Sequence, residues 1–446
     1  MKQSLTEQLI IDIWQISVTD ADRQRATKHV VDYLACAAVG AKSAQGLVYA
    51  KLVEQAASGS ISAVFNRCCD LQTALAFNAA IGNVMEMDDI HRSSILHPGP
   101  VVIPAALALA EQQQVSMQCF LDAVIKGYEV TIRMGQSIGR SHYKYFHNTS
   151  TCAALDAATA AAVILGLNAE QTVNAIGNAG SRTGGLWQMR HENVMSKQWH
   201  NSEAAKSGVN AAIMASYGLT GPKTILEGEL GIFNALSDAA NPQAFVAKHD
   251  NWLIYDVSFK PWPACRHAHP AIDAFNHALA SAQQPVDVED IDAVRVETYQ
   301  DAKLFCDRLH IDSDVAAKFS IQHALAAIVV FGKPKLEHYS AKVYQRSDIG
   351  KLREKISVDV SPTIEADYPQ HYGARCEITL KSGIQLSGYR QDTLGDPETP
   401  LSEQQFCDKA QMLFAAADID QHRIEHIVAM QWQQHNDITA LSKLLD

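Results

Sequence analysis

The sequence predicts a mainly α protein: a large all-α helical bundle, discontinuous along the chain, plus a smaller α+β domain. Three observations carry this. The first 250 or so residues repeat Ala-rich segments with apolar residues at helical spacing; strand signals appear only later; and helical periodicity returns in the tail. With 446 residues, 47% of them hydrophobic, the chain is long enough for two cores. The expected division is residues 1–257 with 397–446 for the helical domain and 258–396 for the α+β domain.

Ser4 or Thr6 is a capping candidate for a first helix. Helical spacing then predicts helices over Arg25–Val39, Leu71–Met85, Pro104–Gln112, Cys119–Met134, Ala153–Leu165 and Ala204–Tyr217. Frequent alanine lets such helices approach closely, which favours a packed bundle. Ile291–Tyr299 alternates as a strand does, and the stretch from Cys376 reads as a hairpin turning at Lys381-Ser-Gly383. Helices are expected between them over Ala317–Phe331 and Lys342–Arg353, and again from Ser402 to Leu445.

Composition removes several classes. A formal net charge of -12 disfavours nucleic acid and anionic membranes as partners. The apolar run Ala153–Leu167 carries Asp156 and Thr159 and is too short to span a bilayer. The first residues lack a signal-peptide core, and nine cysteines without a Cys-x-x-Cys pattern fit a reducing compartment, so the chain reads as cytoplasmic.

The densest chemistry lies in Glu86-Met-Asp88-Asp89-Ile-His91, followed by His97-Pro-Gly-Pro and an Ala-rich helix. So many titratable groups near a core must pair or do chemistry. Further along, His147 precedes an Asn-Thr-Ser run at a predicted helix N-terminus, where anions bind well. Ser196-Lys197-Gln-Trp-His200, followed by Glu203 and Lys206, marks another helix entrance. Lys260-Pro-Trp-Pro-Ala-Cys265-Arg266-His-Ala-His269-Pro is held by three prolines, and Lys318-Phe-Ser320-Ile-Gln-His323 opens a further helix. The Gly177–Gly185 loop offers backbone N–H groups to a carboxylate; without a preceding strand it is a poor dinucleotide fingerprint.

Taken in order, these motifs resemble the MmgE/PrpD family across essentially the whole chain. The carriers are the acidic run ending at Asp89, His97-Pro-Gly, His147 before its helix, Lys197-x-x-His200 with Ala-Ala-Lys206-x-Gly, Lys260-Pro-x-Pro with His269, and Lys318-Phe-Ser-x-Gln. The family includes 2-methylcitrate dehydratases, cis-aconitate decarboxylases and an iminodisuccinate epimerase. The resemblance implies a helical domain with an α+β lid, a small polycarboxylate substrate, a homodimer, and no metal or organic cofactor. It places Glu86 where decarboxylases carry an active-site aspartate, and His97, His147, Lys197 and Lys260 on that branch's pocket residues. Cys265 stands where those decarboxylases have a histidine and His323 where they have a tyrosine, which weighs against decarboxylation.

Removing a proton α to a carboxylate without a cofactor requires clustered cations and N–H donors to meet the developing charge. The expected roles are Lys260 or His147 as base, His97 as acid, Lys197 and Arg266 as carboxylate anchors, and Glu86 with Asp89 orienting His97 or a lysine. His200, Lys206 and His323 complete the substrate-binding set, and Cys265 is a second acid/base in an epimerase. Against these stand plainer alternatives: a structural Asp88 or Asp89, a solvated Lys206 and a packed Cys265 thiol. Dehydration of a 2-methylcitrate-like acid is the leading activity and epimerisation the alternative. A metal site from Asp88, Asp89, His91 and His97 lacks the ligand spacing such a site needs.

Overall fold

A computed structural model describes residues 3–192, 194–429 and 437–445, which form two compact units. The larger comprises Met1–Val84, Asp88–Val257 and Gln404–Asp446; the smaller comprises Met85–Met87 and Ser258–Glu403. The described residues are mainly helical, with a small sheet in the smaller unit.

In the larger unit the α-helices up to Ser216 are α1 Leu5–Gln15, α2 Asp20–Lys42, α3 Ala44–Gln55, α4 Leu71–Ile81, α5 Gly99–Gln113, α6 Met117–Tyr143, α7 Asn148–Ile164, α8 Ala169–Gly180 and α9 Ser196–Ser216. Ser4 caps α1, bonding the Glu7 backbone while the Glu7 side chain returns to the Ser4 N–H. Helix α7 is the centre of the bundle: every residue but Val163 is buried, against α5, α6, α8 and α9. Its alanines are the reason. A Cβ on Gly208 of α9 would lie 2.5 Å from the Ala154 carbonyl oxygen and 2.5 Å from the Ala157 Cβ, so only small residues permit this contact. Because Gly208 meets Ala154–Ala158 while His200 meets His147, α7 and α9 run parallel with their N-terminal ends together.

Some expected elements shift. Leu71–Met85 ends early, at Ile81, and Gly177 and Gly180 lie inside α8 rather than in an anion-binding loop. A short strand, β1 Ser58–Ile61, was not anticipated.

The smaller unit holds β2 Ile291–Thr298, β3 Ile356–Val360, β4 Ala374–Leu380 and β5 Gln385–Arg390, in the order β3-β2-β4-β5. The β4–β5 hairpin turns at Gly383, whose N–H donates to the Leu380 carbonyl. Alternate residues Val294, Val296, Cys376, Ile378 and Leu386 are buried, and helix His269–Ala280 packs on β4 and β5. Strand β3, parallel to β2, was not foreseen: its Ile-Ser-Val-Asp-Val alternation is only five residues long. The helix expected over Ala317–Phe331 breaks into Asp314–Lys318 and Ile321–Phe331, because Ser320 caps the second by accepting from the His323 N–H.

One buried group in α7 carries a stability prediction. Both Asp156 carboxyl oxygens are buried, with the Thr131 hydroxyl and the Ala157 backbone N–H as their polar neighbours. Burial pushes the Asp156 carboxyl well above the usual carboxylate range. Folding therefore keeps it protonated while the unfolded chain ionises, so its contribution falls as pH rises above about 4. Asp156→Asn is expected to raise Tm by a few degrees at pH 7 and to lose that advantage near pH 4. Thermal melts across this range check it; a variant no more stable at pH 7 than at pH 4, relative to wild type, contradicts it.

Candidate functional site

In the larger unit, His97 sits two residues before α5, its backbone N–H donating to Thr149 Oγ1 in the first turn of α7 (3.1 Å). Its Nδ1 lies 2.8 Å from Asp88 Oδ2 and 3.0 Å from the Asp89 carbonyl oxygen. Both partners are acceptors, so Nδ1 carries a proton and Nε2 is the ring nitrogen left for substrate. Asp88 is itself held by the Asn83 amide, at 2.7 and 2.8 Å to its two oxygens. Asp88, rather than Glu86 or the Asp89 carboxylate, therefore orients His97.

Asp89 faces elsewhere. Its Oδ1 accepts from the Gly99 N–H (3.0 Å) and its Oδ2 from Tyr128 OH (2.6 Å) and His29 Nδ1 (2.7 Å). A Cβ on Gly99 would stand 2.7 Å from Asp89 Oδ1, so this bond requires glycine at the start of α5. Burial raises the Asp89 carboxyl to about 6, against the Tyr128 hydrogen bond. Burial also holds His29 well below its ordinary value, so a neutral imidazole donates to Asp89. Asp89 thus ties together α2, α5 and α6. His91 bonds Ser94 (2.7 Å) and the Asp89 carboxylate bonds Gly99, Tyr128 and His29, while Asp88 and His97 bond each other, so the four side chains are not gathered around one point.

His147 is the N-cap of α7. Its backbone N–H donates to the Gly185 carbonyl (2.8 Å), its ring packs on Trp187 at 4.6 Å, and its Nδ1 lies 3.4 Å from His200 Nδ1. Its Nε2 is buried without a partner. Burial first, then the charges of Lys197, His200 and His97, hold His147 well below its ordinary value, leaving it neutral. Burial lowers His200 likewise. The N-terminal ends of α7 and α9 add positive potential beside Lys197, which suits an anion. Lys206 is engaged elsewhere, 2.6 Å from Glu203 and 5.2 Å over the Trp199 ring.

The smaller unit gathers a second set. Lys260, fully buried, donates to the Glu86 carbonyl oxygen (3.0 Å) with Glu86 Oε2 at 3.8 Å. Glu86 has a left-handed backbone, φ 57°, uncommon for a non-glycine residue and held here by this pairing. Lys318 Nζ reaches Met85 Sδ at 3.9 Å; burial lowers its ammonium, Glu86 and Asp314 oppose that, and Lys260 reinforces it. The Cys265 backbone N–H donates to the Lys318 carbonyl (2.9 Å), and its thiol bonds that of Cys306. Burial, then this bond, pushes Cys306 well above the usual thiol range.

Two expected binding residues are committed within the fold. Arg266 is fully buried against Asp396, which also accepts from Ser258 Oγ (2.6 Å), and its Nη1 lies 3.2 Å from His269 Nδ1. His323 lies 2.8 Å from the His338 carbonyl oxygen and is pushed down to about 4 by burial. Sequence reasoning missed Asn83, His29, Tyr128 and Cys306. Each lies in an ordinary helical or loop context, and only contact with a distant residue marks it. Among the described residues, His371, Asp392 and Glu398 bring potential metal-ligand atoms within 4.8 Å; they are partly to fully exposed, and His371 already bonds Asp392.

A helix-rich protein with an oriented imidazole, a neutral buried imidazole and a nearby lysine, Lys197, has the parts of a side-chain acid–base catalyst. Residues 12–244 match the MmgE/PrpD N-terminal domain and residues 262–434 the MmgE/PrpD C-terminal domain, so the chain belongs to the MmgE/PrpD family. It is similar to the cis-aconitate decarboxylase of Homo sapiens, 27% identical with 92% of this chain and 87% of that protein covered. It is also similar to the 2-methylcitrate dehydratases of Cupriavidus necator, at 25% with 74% and 72% covered, and of Escherichia coli K12, at 26% with 60% and 56% covered. No helix among the described residues is long and apolar enough to cross a membrane.

Proposed function

We propose that this protein is an enzyme that abstracts a proton α to a carboxylate on a small di- or tricarboxylate, with dehydration of a 2-methylcitrate-like hydroxy acid as its reaction. The supporting observation is that His97, its Nδ1 proton held by Asp88, and a neutral His147 whose Nε2 has no partner both lie at the N-terminal end of α7. One imidazole takes the proton from carbon and the other delivers a proton to the leaving hydroxyl. His147 serves as base and His97 as acid. Lys197, at the adjoining helix entrance, meets the carboxylate charge as it grows.

At about a quarter identity a reaction does not transfer with a fold, so the decarboxylase-named relatives, though they cover more of the chain, do not select decarboxylation. Epimerisation is the second reading, favoured by the Cys265 thiol, which lies beside Cys306 and would serve as the second acid/base.

Turnover of a polycarboxylate panel in deuterated water tests these readings, with water, carbon dioxide and stereochemistry followed together. A new alkene without carbon dioxide is the expected product, formed equally after exhaustive chelation. Label gained without loss of water, accompanied by inversion and abolished by Cys265→Ser, would instead establish the epimerase.

A further inference from the structure

Three polar groups in the smaller unit are left without partners in one place. The Tyr339 hydroxyl and His323 Nδ1 are buried and unbonded, as are Nε and Nη1 of Arg353. They come from three elements: helix Ile321–Phe331, the turn Leu336–Tyr339 and helix Ser347–Arg353. The His323 and Tyr339 rings meet edge to face at 5.5 Å, and the Arg353 charge acts on His323. A buried polar group left unpaired is costly, so three together call for an occupant.

The surrounding charge indicates its sign. Residues 333–355 carry seven Lys and Arg against three Asp and Glu, in a chain of net charge -12. The two unbonded nitrogens of Arg353, Nε and Nη1, lie on different edges of the guanidinium, and each offers an N–H to an anionic oxygen. His323 refines the choice. Its Nε2 donates to the His338 carbonyl, so the neutral ring offers Nδ1 only as an acceptor and requires an O–H from its ligand.

We propose that Arg353, Tyr339 and His323 form a binding site for a small oxyanion that retains one hydroxyl, such as hydrogen phosphate or a 2-hydroxycarboxylate. Arg353 takes the anionic oxygens, the Tyr339 hydroxyl donates a further bond, and His323 Nδ1 accepts from the ligand hydroxyl. The site involves none of the residues assigned to acid–base chemistry above, and its occupancy is independent of turnover.

Calorimetric titration and thermal melts of the full chain test this, with potassium phosphate compared against potassium chloride at equal ionic strength. Saturable phosphate binding that raises Tm is expected, weakened about tenfold or more in Arg353→Met and several-fold in Tyr339→Phe, which removes only a hydroxyl. In a second arm glycolate should bind and acetate should not; equal binding of both would overturn the need for a ligand hydroxyl. Should Arg353→Met fail to fold, Arg353→Lys and Tyr339→Phe decide. A phosphate response no greater than that of chloride, or unchanged in the variants, overturns the site and leaves ordered water as its occupant.

Discussion

His97→Gln and Asp88→Asn are each expected to reduce kcat by roughly 10²–10⁴, the range for loss of positioned acid–base catalysis, while Tm stays within a few degrees of wild type. His97 supplies the proton-transfer atom. Asp88 acts through it, accepting from Nδ1 at 2.8 Å and so fixing which nitrogen is free. An asparagine there presents an amide donor to Nδ1 and favours the opposite tautomer, as in catalytic triads whose orienting carboxylate is lost. A purely structural Asp88 would leave kcat intact and lower Tm, so measuring both separates the roles. Lys197→Met adds a directional check. Removing a cation that depresses His147 raises the pH at which that imidazole protonates, so the acid limb of the kcat/KM profile should move to higher pH. An unshifted limb removes His147 from the role of base.

Lys409→Met is expected to be the most destabilising single change, costing about 3–5 kcal/mol. Lys409, on helix Glu403–Ala416, places Nζ 2.5 Å from Asp32 Oδ1 on α2, with both side chains buried. The pair joins the C-terminal segment to the start of the same unit. Burial raises Asp32 to about 6, against Lys409, and Asp88 and Asp89 add to the rise. Without Lys409, Asp32 must stay charged and unpaired or take up a proton. The double variant Asp32→Leu/Lys409→Met should recover much of the loss, since apolar replacement of a whole buried pair is often neutral. Chemical denaturation of the three variants checks this, and a near-silent single variant rejects it.

Much of the secondary structure and several local details of the candidate site were legible in the sequence because they depend on near neighbours. The Ala-rich helical texture, the hairpin at Gly383 and the helix entrances after His147 and at Ser196 follow from spacing within a few residues, and the caps at Ser4 and Ser320 from local capping chemistry. The ordered motifs also sufficed to indicate the family. Partner choice was decided by tertiary structure. Asp88 and Asp89 are adjacent and chemically identical, yet one turns to His97 and Asn83 and the other to His29 and Tyr128. Arg266 and Lys260 share one proline-rich segment, but the first pairs with Asp396 and the second with Glu86. A carboxylate or cation pairs with the complementary group that packing brings within about 3 Å, and those groups lie 39 to 174 residues away for Tyr128, His29, Asp396 and Glu86. Local sequence determines which segments are helices and where charge sits; only the folded chain decides which charges meet, because burial makes an unpaired one too costly to leave.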